Sequence, residues 1–451
     1  MRRGGGSVDF RRTLVVTLAS LVVPGSGHLA LRRGRIGHPV LRVYLGLVAV
    51  ALACIFLVPH GWWVAAAFKP WLLSTVQVLA VVIGMLWAAV VLHAFSISRP
   101  LQIRPPRRWI ALGVALALSA GILMPFGVAA NYAGVQRDLV SSMFPAGGDG
   151  PQGRMNILLL GSDAGPDRTG TRTDTMIVVS IDLATGRSVM LSLPRNLQHV
   201  PMPEGPARER FPNGFTDLLN AVYGYGVDHP KLEPGSKQPG ADLLKDTIGG
   251  VLGIPVHYYL QVNLKGFQRM VNALGGVTVK VKQRLPIGGK GGVPITGYVQ
   301  PGVRKLNGNQ ALWFARSRVT TDDYDRMSRQ RCLLGAIAKQ ASPVNVLARY
   351  QQLAAASKHM FRTDIPRGVM SSLVDVAKKA RSHRIDTLSF VPPLIDTADP
   401  DWQLIKDETR KAIEAPTRKH GSKGAHKRAA GGGRESTKRG SGAQSIAAAC
   451  R

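Results

Sequence analysis

"NILLLGSDAGPDRTGTRTDTMIVVSID", residues 156–182, decides the fold. Asn156–Leu160 and Thr175–Asp182 are short runs dominated by apolar residues and bounded by Gly or Asp, so both read as strands with two buried faces. A third strand, Ser188–Leu193, follows the hairpin-turn residues Ala184-Thr185-Gly186-Arg187. Between the first two strands lies a loop holding Asp163, Asp167, Asp174, Arg168 and Arg172. A plain surface turn needs no such charge.

Outward from this loop, strand-like and helix-like segments alternate. His257–Asn263, Val277–Lys282 and Thr387–Val391 read as further strands. Helical periodicity marks Ala241–Leu252, Leu264–Leu274, Asn309–Arg316, Tyr324–Gln340 and Val344–Ser357. The pattern predicts an α/β domain over 154–395, an α-β-α sandwich whose sheet is covered on both faces. In open α/β sheets ligands sit beyond strand ends, which is where this loop falls.

The first third of the chain belongs to another class. Residues 43–59, 72–95 and 110–130 are each long and apolar enough to cross a bilayer. Residues 13–31 are broken by Pro24-Gly25-Ser26-Gly27, and the stretch reads as a re-entrant hairpin. Arginines crowd the short segments around residues 2–12, 32–42 and 99–108, and such segments stay cytoplasmic. Residues 1–131 are therefore expected to be a multi-pass anchor, 132–153 a linker, and everything beyond extracytoplasmic.

The net charge of +31 invites a nucleic-acid reading, but its placement argues against one. Residues 1–136 carry a net +12 and residues 410–451 a net +9, so most of the excess flanks the membrane or lies near the C-terminus. Residues 396–451, rich in Lys, Arg, Gly, Ala and Ser, are expected to be a solvated basic tail without a fold. Cys54 lies in a span, and Cys332 and Cys450 are far apart; all three are expected to be free thiols. Gly288–Gly292 lacks the spacing of a phosphate-binding loop and reads as a flexible connection.

The polar residues suggest an anion site. Gly165, Pro166 and Gly170 let the loop double back and bring Asp163 and Asp174 together, and paired carboxylates suit Mg²⁺ or Mn²⁺ with phosphate oxygens completing the shell. Arg172, Arg195, Arg316, Arg318, Arg326, Arg329 and Arg331 supply cations whose planar fork matches phosphate. Arg316 and Arg318 cannot share one helical face, so a helix is expected to end between them, whereas Asp323, Arg326 and Gln330 share one.

"NILLLGSD…RTDTMIVVSID…LSLPRN", "VNLKGFQRMVNALGGVTV" and "LNGNQALWFARSR…DDYDRMSRQR" resemble, in order, the signature blocks of the LytR-CpsA-Psr family, enzymes that attach glycopolymers to bacterial peptidoglycan. The resemblance covers about residues 154–341. It implies that Asp163 and Asp174 bind magnesium, that Arg172, Arg195, Arg316, Arg318, Arg326 and Gln330 contact pyrophosphate, and that Asp323 is the acid on the helix carrying them. Asp163, Arg172, Arg195, Arg316 and Arg318 would then be catalytic. It also implies a polyprenyl tunnel, to which Phe267, Met270, Val271 and Leu274 could contribute if they are not simply core. Asn196 departs from the family's usual Asp, though it could still orient Arg195. The expected activity is transfer of a glycan-1-phosphate from a polyprenyl-pyrophosphate carrier to a peptidoglycan hydroxyl, by resemblance the 6-hydroxyl of N-acetylmuramic acid. A non-catalytic polyprenyl-phosphate sensor or envelope regulator is the alternative.

Overall fold

The computed structural model describes residues 10–98, 105–147, 150–162, 173–289, 294–340, 361–380, 385–415, 443–445 and 450. The chain divides into two compact units, residues 1–141 and 142–451.

The first unit is helical: α1 Phe10–Val22, α2 Ser26–Ala30, α3 Gly34–Leu57, α4 His60–Ala66, α5 Pro70–Ile97 and α6 Pro105–Met143. Among the described residues three helices, α3, α5 and α6, are long and apolar enough to cross a membrane. The interrupted N-terminal stretch splits into two helices. It turns at Gly25, whose φ of +92° favours glycine, to join α1 to α2. The expected linker from 132 is corrected, because α6 runs on to Met143 and most of that stretch is helix.

The second unit is built on a seven-stranded mixed sheet, ordered β11-β10-β3-β2-β1-β4-β9. Its strands are β1 Arg154–Ser162, β2 Thr173–Asp182, β3 Ser188–Leu193, β4 Tyr258–Asn263, β9 Phe361–Thr363, β10 Ile385–Ser389 and β11 Gln444–Ser445. The β2–β3 hairpin forms because Asp182 Oδ1 accepts from the Ala184 and Thr185 amides while Gly186 takes a φ of +78°. Strand residues alternate between faces. Leu158, Leu160, Val178 and Leu191 pack under α9 Pro239–Leu252, α8 Val222–Asp228 and α14 Trp402–Glu414. On the opposite face Met155 and Ile157 meet Val369 of α13 Val369–Ala380, and Ile177 and Met190 meet Leu334 of α12 Asp323–Gln340. The sheet is thus covered on both faces, as the alternation predicts.

A smaller lobe grows from β4 through α10 Leu264–Ala273. Two ribbons, β5 Val277–Val281 with β8 Gly302–Leu306 and β6 Leu285–Ile287 with β7 Gly297–Val299, share one core with α11 Gly308–Arg316. Phe267 and Val271 belong to that core. α11 starts on a capping box in which Asn307 accepts from the Gln310 amide and Gln310 returns a bond to the Asn307 amide.

The expected C-terminal boundary at 395 is corrected. Beyond it lies α14, capped by Asp401, whose side chain accepts from the Leu404 amide. Ile405, Thr409 and Ala412 are buried against the sheet, and α14's last carbonyls are bound by the buried Arg187, whose Nη1 and Nη2 reach Ile413 O (3.0 Å) and Ala412 O (3.1 Å). The chain then returns as β11 on the edge of β10, and Cys450 forms a disulfide with Cys332 of α12. The expectation that these two thiols are free is therefore wrong: the fold closes a distance in sequence that spacing could not reveal. Most of the expected basic tail, 416–442, and the helix at 344–357 lie outside the described residues.

Candidate active site

β1, β3, β4 and β10 run in one direction, so their C-terminal ends meet at one edge of the sheet. The charged loop leaves from that edge through a β-bulge. Gly161 pairs with Thr175 and Ser162 with Thr173, which leaves Asp174 as the extra residue on β2. A bulge re-aims the side chain it displaces. Gly161 permits the close approach, since a Cβ there would lie 2.9 Å from that of Thr175.

Arg195 follows Pro194 at the end of β3, with its carbonyl accepting from the Asn220 amide at 3.1 Å. Its Nη1 donates to Asp174 Oδ1 (2.8 Å) and its Nε to Asp323 Oδ2 (3.2 Å). Asp323 opens α12, where the positive end of the helix dipole favours a carboxylate. It also accepts from Arg318 Nη1 (2.9 Å) and Arg326 Nη2 (2.8 Å). One carboxylate therefore serves three guanidiniums. Arg326 is 2 % exposed, and its Nη2 also reaches the Asp174 carbonyl at 3.3 Å. Burial pushes the Arg326 guanidinium down to about 10, against the pull of Asp323 and Asp174.

Arg316 ends α11, and Ser317 leaves the helix in an extended conformation, so the expected break between Arg316 and Arg318 is present. Arg318 turns to Asp323. Arg316 lies 5.6 Å from the Trp313 ring centre and makes no ion pair among the described residues. Gln330 is turned away from the acids: its Nε2 donates to the Ala315 carbonyl at 3.2 Å. Arg329, whose specific role the sequence did not reveal, braces the same helix end through Phe314 O (2.7 Å), Ser317 O and Thr321 Oγ1 (3.0 Å). Its spacing three residues after Arg326 was the available signal. Asn196 does not orient the Arg195 side chain, as had been expected; its amide donates to Thr397 Oγ1 at 3.1 Å.

Asp163 and Arg172 lie outside the described residues. Asp174 uses Oδ1 for Arg195, and the buried Ser162 and Thr173 hydroxyls at the base of the loop have no hydrogen-bond partner among the described residues. Oxygen donors of this type are compatible with Mg²⁺, although no group of three His, Cys, Asp or Glu side chains placed to hold a metal forms among the described residues.

Burial pushes the Asp174 carboxyl up, but the Arg195 hydrogen bond and the charges of Arg195, Arg326 and Arg318 outweigh it and hold the group below its ordinary value. A depressed carboxylate contributes stability above its unfolded pKa, and that contribution disappears as pH falls through the folded value. Asp174→Asn should therefore melt below wild type at neutral pH, with the gap closing in strong acid. Thermal midpoints of both proteins across that range check this, and a gap independent of pH would refute it.

A family model described as the LytR_cpsA_psr family matches residues 135–409. The chain is 28 % identical over 281 residues to biofilm regulatory protein A of Streptococcus mutans, covering 60 % of this chain and 64 % of that protein. It is 29 % identical over 233 residues to the polyisoprenyl-teichoic acid–peptidoglycan teichoic acid transferase TagU of Enterococcus faecalis, covering 51 % and 65 %. These matches span just under two thirds of each relative's length. Among solved structures, protein gbs0355 of Streptococcus agalactiae is 25 % identical with a TM-score of 0.46, covering 59 % of this chain and 90 % of that one. TagV of B. subtilis is 26 % identical with a TM-score of 0.43, covering 59 % and 97 %.

Proposed function

Because this chain belongs to the LytR_cpsA_psr family, we propose that it is a membrane-anchored transferase that moves a glycan-1-phosphate from a polyprenyl-pyrophosphate carrier to a peptidoglycan hydroxyl. The observation that carries this reading is the charge imbalance where β3 ends and α12 begins. Arg195, Arg318 and Arg326 share Asp174 and Asp323, and Arg316, two residues before Arg318, has no ion-pair partner among the described residues. Excess guanidinium at a strand edge is costly unless an anion of high charge completes it, and pyrophosphate is such an anion.

In the proposed reaction the acceptor hydroxyl oxygen bonds to the phosphorus nearest the glycan. The bond from that phosphorus to the bridging oxygen breaks, polyprenyl monophosphate leaves, and the hydroxyl proton passes to a base. Phosphoryl transfer depends mainly on positioning and charge stabilisation, which the arginines provide by holding donors against the oxygens that gain charge. Asp323 acts through them by fixing three guanidiniums in register. Mg²⁺ or Mn²⁺ held by Asp174 and Asp163 would supply further neutralisation of the pyrophosphate.

The transferase named in Enterococcus faecalis supports this reading. Three membrane-capable helices and basic segments on their expected inner side support an extracytoplasmic second unit. The Cys332–Cys450 disulfide supports it independently, since such bonds persist in oxidising compartments. The test is incubation of the full chain in micelles with a polyprenyl-pyrophosphate glycan, Mg²⁺ and peptidoglycan fragments. Covalently linked glycan and released polyprenyl monophosphate are expected. Tight binding of the carrier with no product would favour the sensor reading instead, and an unchanged rate after chelation would remove the metal.

A further inference from the structure

Between Asp246 and Asp322 the chain carries ten basic residues and no acidic one. The small lobe built from this segment exposes part of that charge together. From Val277 to Val281 the ribbon alternates strictly, with Val277, Val279 and Val281 facing the lobe core and Thr278 and Lys280 facing solvent. Beyond the end of β5, Lys282, Gln283 and Arg284 are all exposed, with a bend at Gln283, until Leu285 turns back into the core. On β8, Val303 lies opposite Lys280 and Lys305 opposite Thr278, so both join the same face. On the next ribbon Tyr298 is exposed, and the Arg284 guanidinium stacks over its ring at 3.6 Å.

None of Lys280, Lys282, Arg284 and Lys305 has an ion-pair partner among the described residues. Lys280 stands on β5 and Lys305 on β8, whereas Lys282 and Arg284 follow in the exposed segment that leads to β6, so these cations are distributed along the ribbon and its exit. A compact anion would need donors that converge on a point. Distributed cations without acid partners among the described residues fit an extended chain with repeated negative charges. Stacking on Tyr298 occupies one face of Arg284 and leaves its edge N–H groups to fork an oxyanion. The face carries little apolar surface, chiefly Val303, 72 % exposed, and the ring of Tyr298, which is too little to enter a bilayer.

We propose that the outer face of this ribbon and the segment that leaves it, Lys280, Lys282, Arg284 and Lys305 with Tyr298, form a docking strip for a linear anionic glycan chain bearing repeated phosphodiesters. The choice of a glycan as occupant rests on the transferase reading, but binding to the strip requires no turnover. The strip would hold the polymer body apart from the pyrophosphate and so select charged polymers over neutral ones.

The test is fluorescence anisotropy of labelled poly(glycerol phosphate) titrated with the full chain in zwitterionic nanodiscs. The variant Lys280→Glu/Lys282→Glu/Lys305→Glu is expected to bind about tenfold more weakly, since each exposed charge contribution is small and three are reversed. Its thermal midpoint should stay at the wild-type value, because all three side chains are exposed. Arg284→Gln should weaken binding with the fold equally intact. Lys231→Glu/Lys237→Glu, on exposed positions elsewhere, should leave binding nearly unchanged. Equal loss in that control pair would overturn the strip, as would unchanged binding in the triple variant or equal affinity for neutral dextran. So would attachment of the strip to anionic-lipid nanodiscs in place of the polymer. If transfer fails in the carrier assay while this binding pattern holds, the strip survives and the transferase reading falls.

Discussion

Asp323→Ala is expected to destabilise the second unit by about 3 kcal/mol, because removing one partner of a buried ion pair leaves its charge uncompensated. Three guanidiniums lose their shared acceptor at once, and Arg326, almost wholly buried, cannot turn to water for a replacement. For a unit of this size that corresponds to a fall of about 5–10 °C in the thermal midpoint. Asp323→Asn keeps the shape and an accepting oxygen, and should lose part of this. Thermal unfolding of the full chain in micelles, followed through Trp313 and Trp402, measures both. An alanine variant that melts with wild type would mean that the arginines are held by packing alone.

Arg316→Ala should do the opposite, lowering transfer by about tenfold to a hundredfold with no change in midpoint. The magnitude is that of one charge-assisted hydrogen bond, roughly 1.5 to 3 kcal/mol. Arg316 is the informative position because it is spent on no acid among the described residues, so its loss disturbs no internal pair. Arg195 cannot give so clean a result. Its fork spans Asp174 and Asp323, and lysine, a point charge, cannot bridge both, so Arg195→Lys should lose stability and turnover together. Should Arg316→Ala unfold the unit yet transfer normally when folded, its role is structural.

What the sequence could express depended on how local each cause was. β1 to β3 were legible because runs of apolar residues broken by Gly and Asp leave little alternative to a buried strand. The turn between Arg316 and Arg318 followed from helical spacing alone. The hub at Asp323 was only half legible. Its spacing to Arg326 is a helical repeat, but its bond to Arg195 crosses 128 residues, and no periodicity records that. Gln330 sits on the expected face, yet that face meets the end of α11 as well as the acids, and the side chain went to a carbonyl. α14 was missed because three buried positions, Ile405, Thr409 and Ala412, sit among charged residues that imitate a solvated tail. Its anchor, Arg187, lies 225 residues upstream of the nearer carbonyl it binds.

The join between Cys332 and Cys450 closes a covalent ring that holds β9, α13, β10, α14 and β11. In the denatured ensemble a ring of this size removes chain entropy worth roughly 4–5 kcal/mol. β10 must find β3 nearly two hundred residues upstream, Ile385 against Ser188, and such distant pairings are entropically the most expensive to make. With the ring closed, a β10 that peels away keeps both of its flanks tied to α12. Its return is recapture from close range, where an open chain would have to search with a free end.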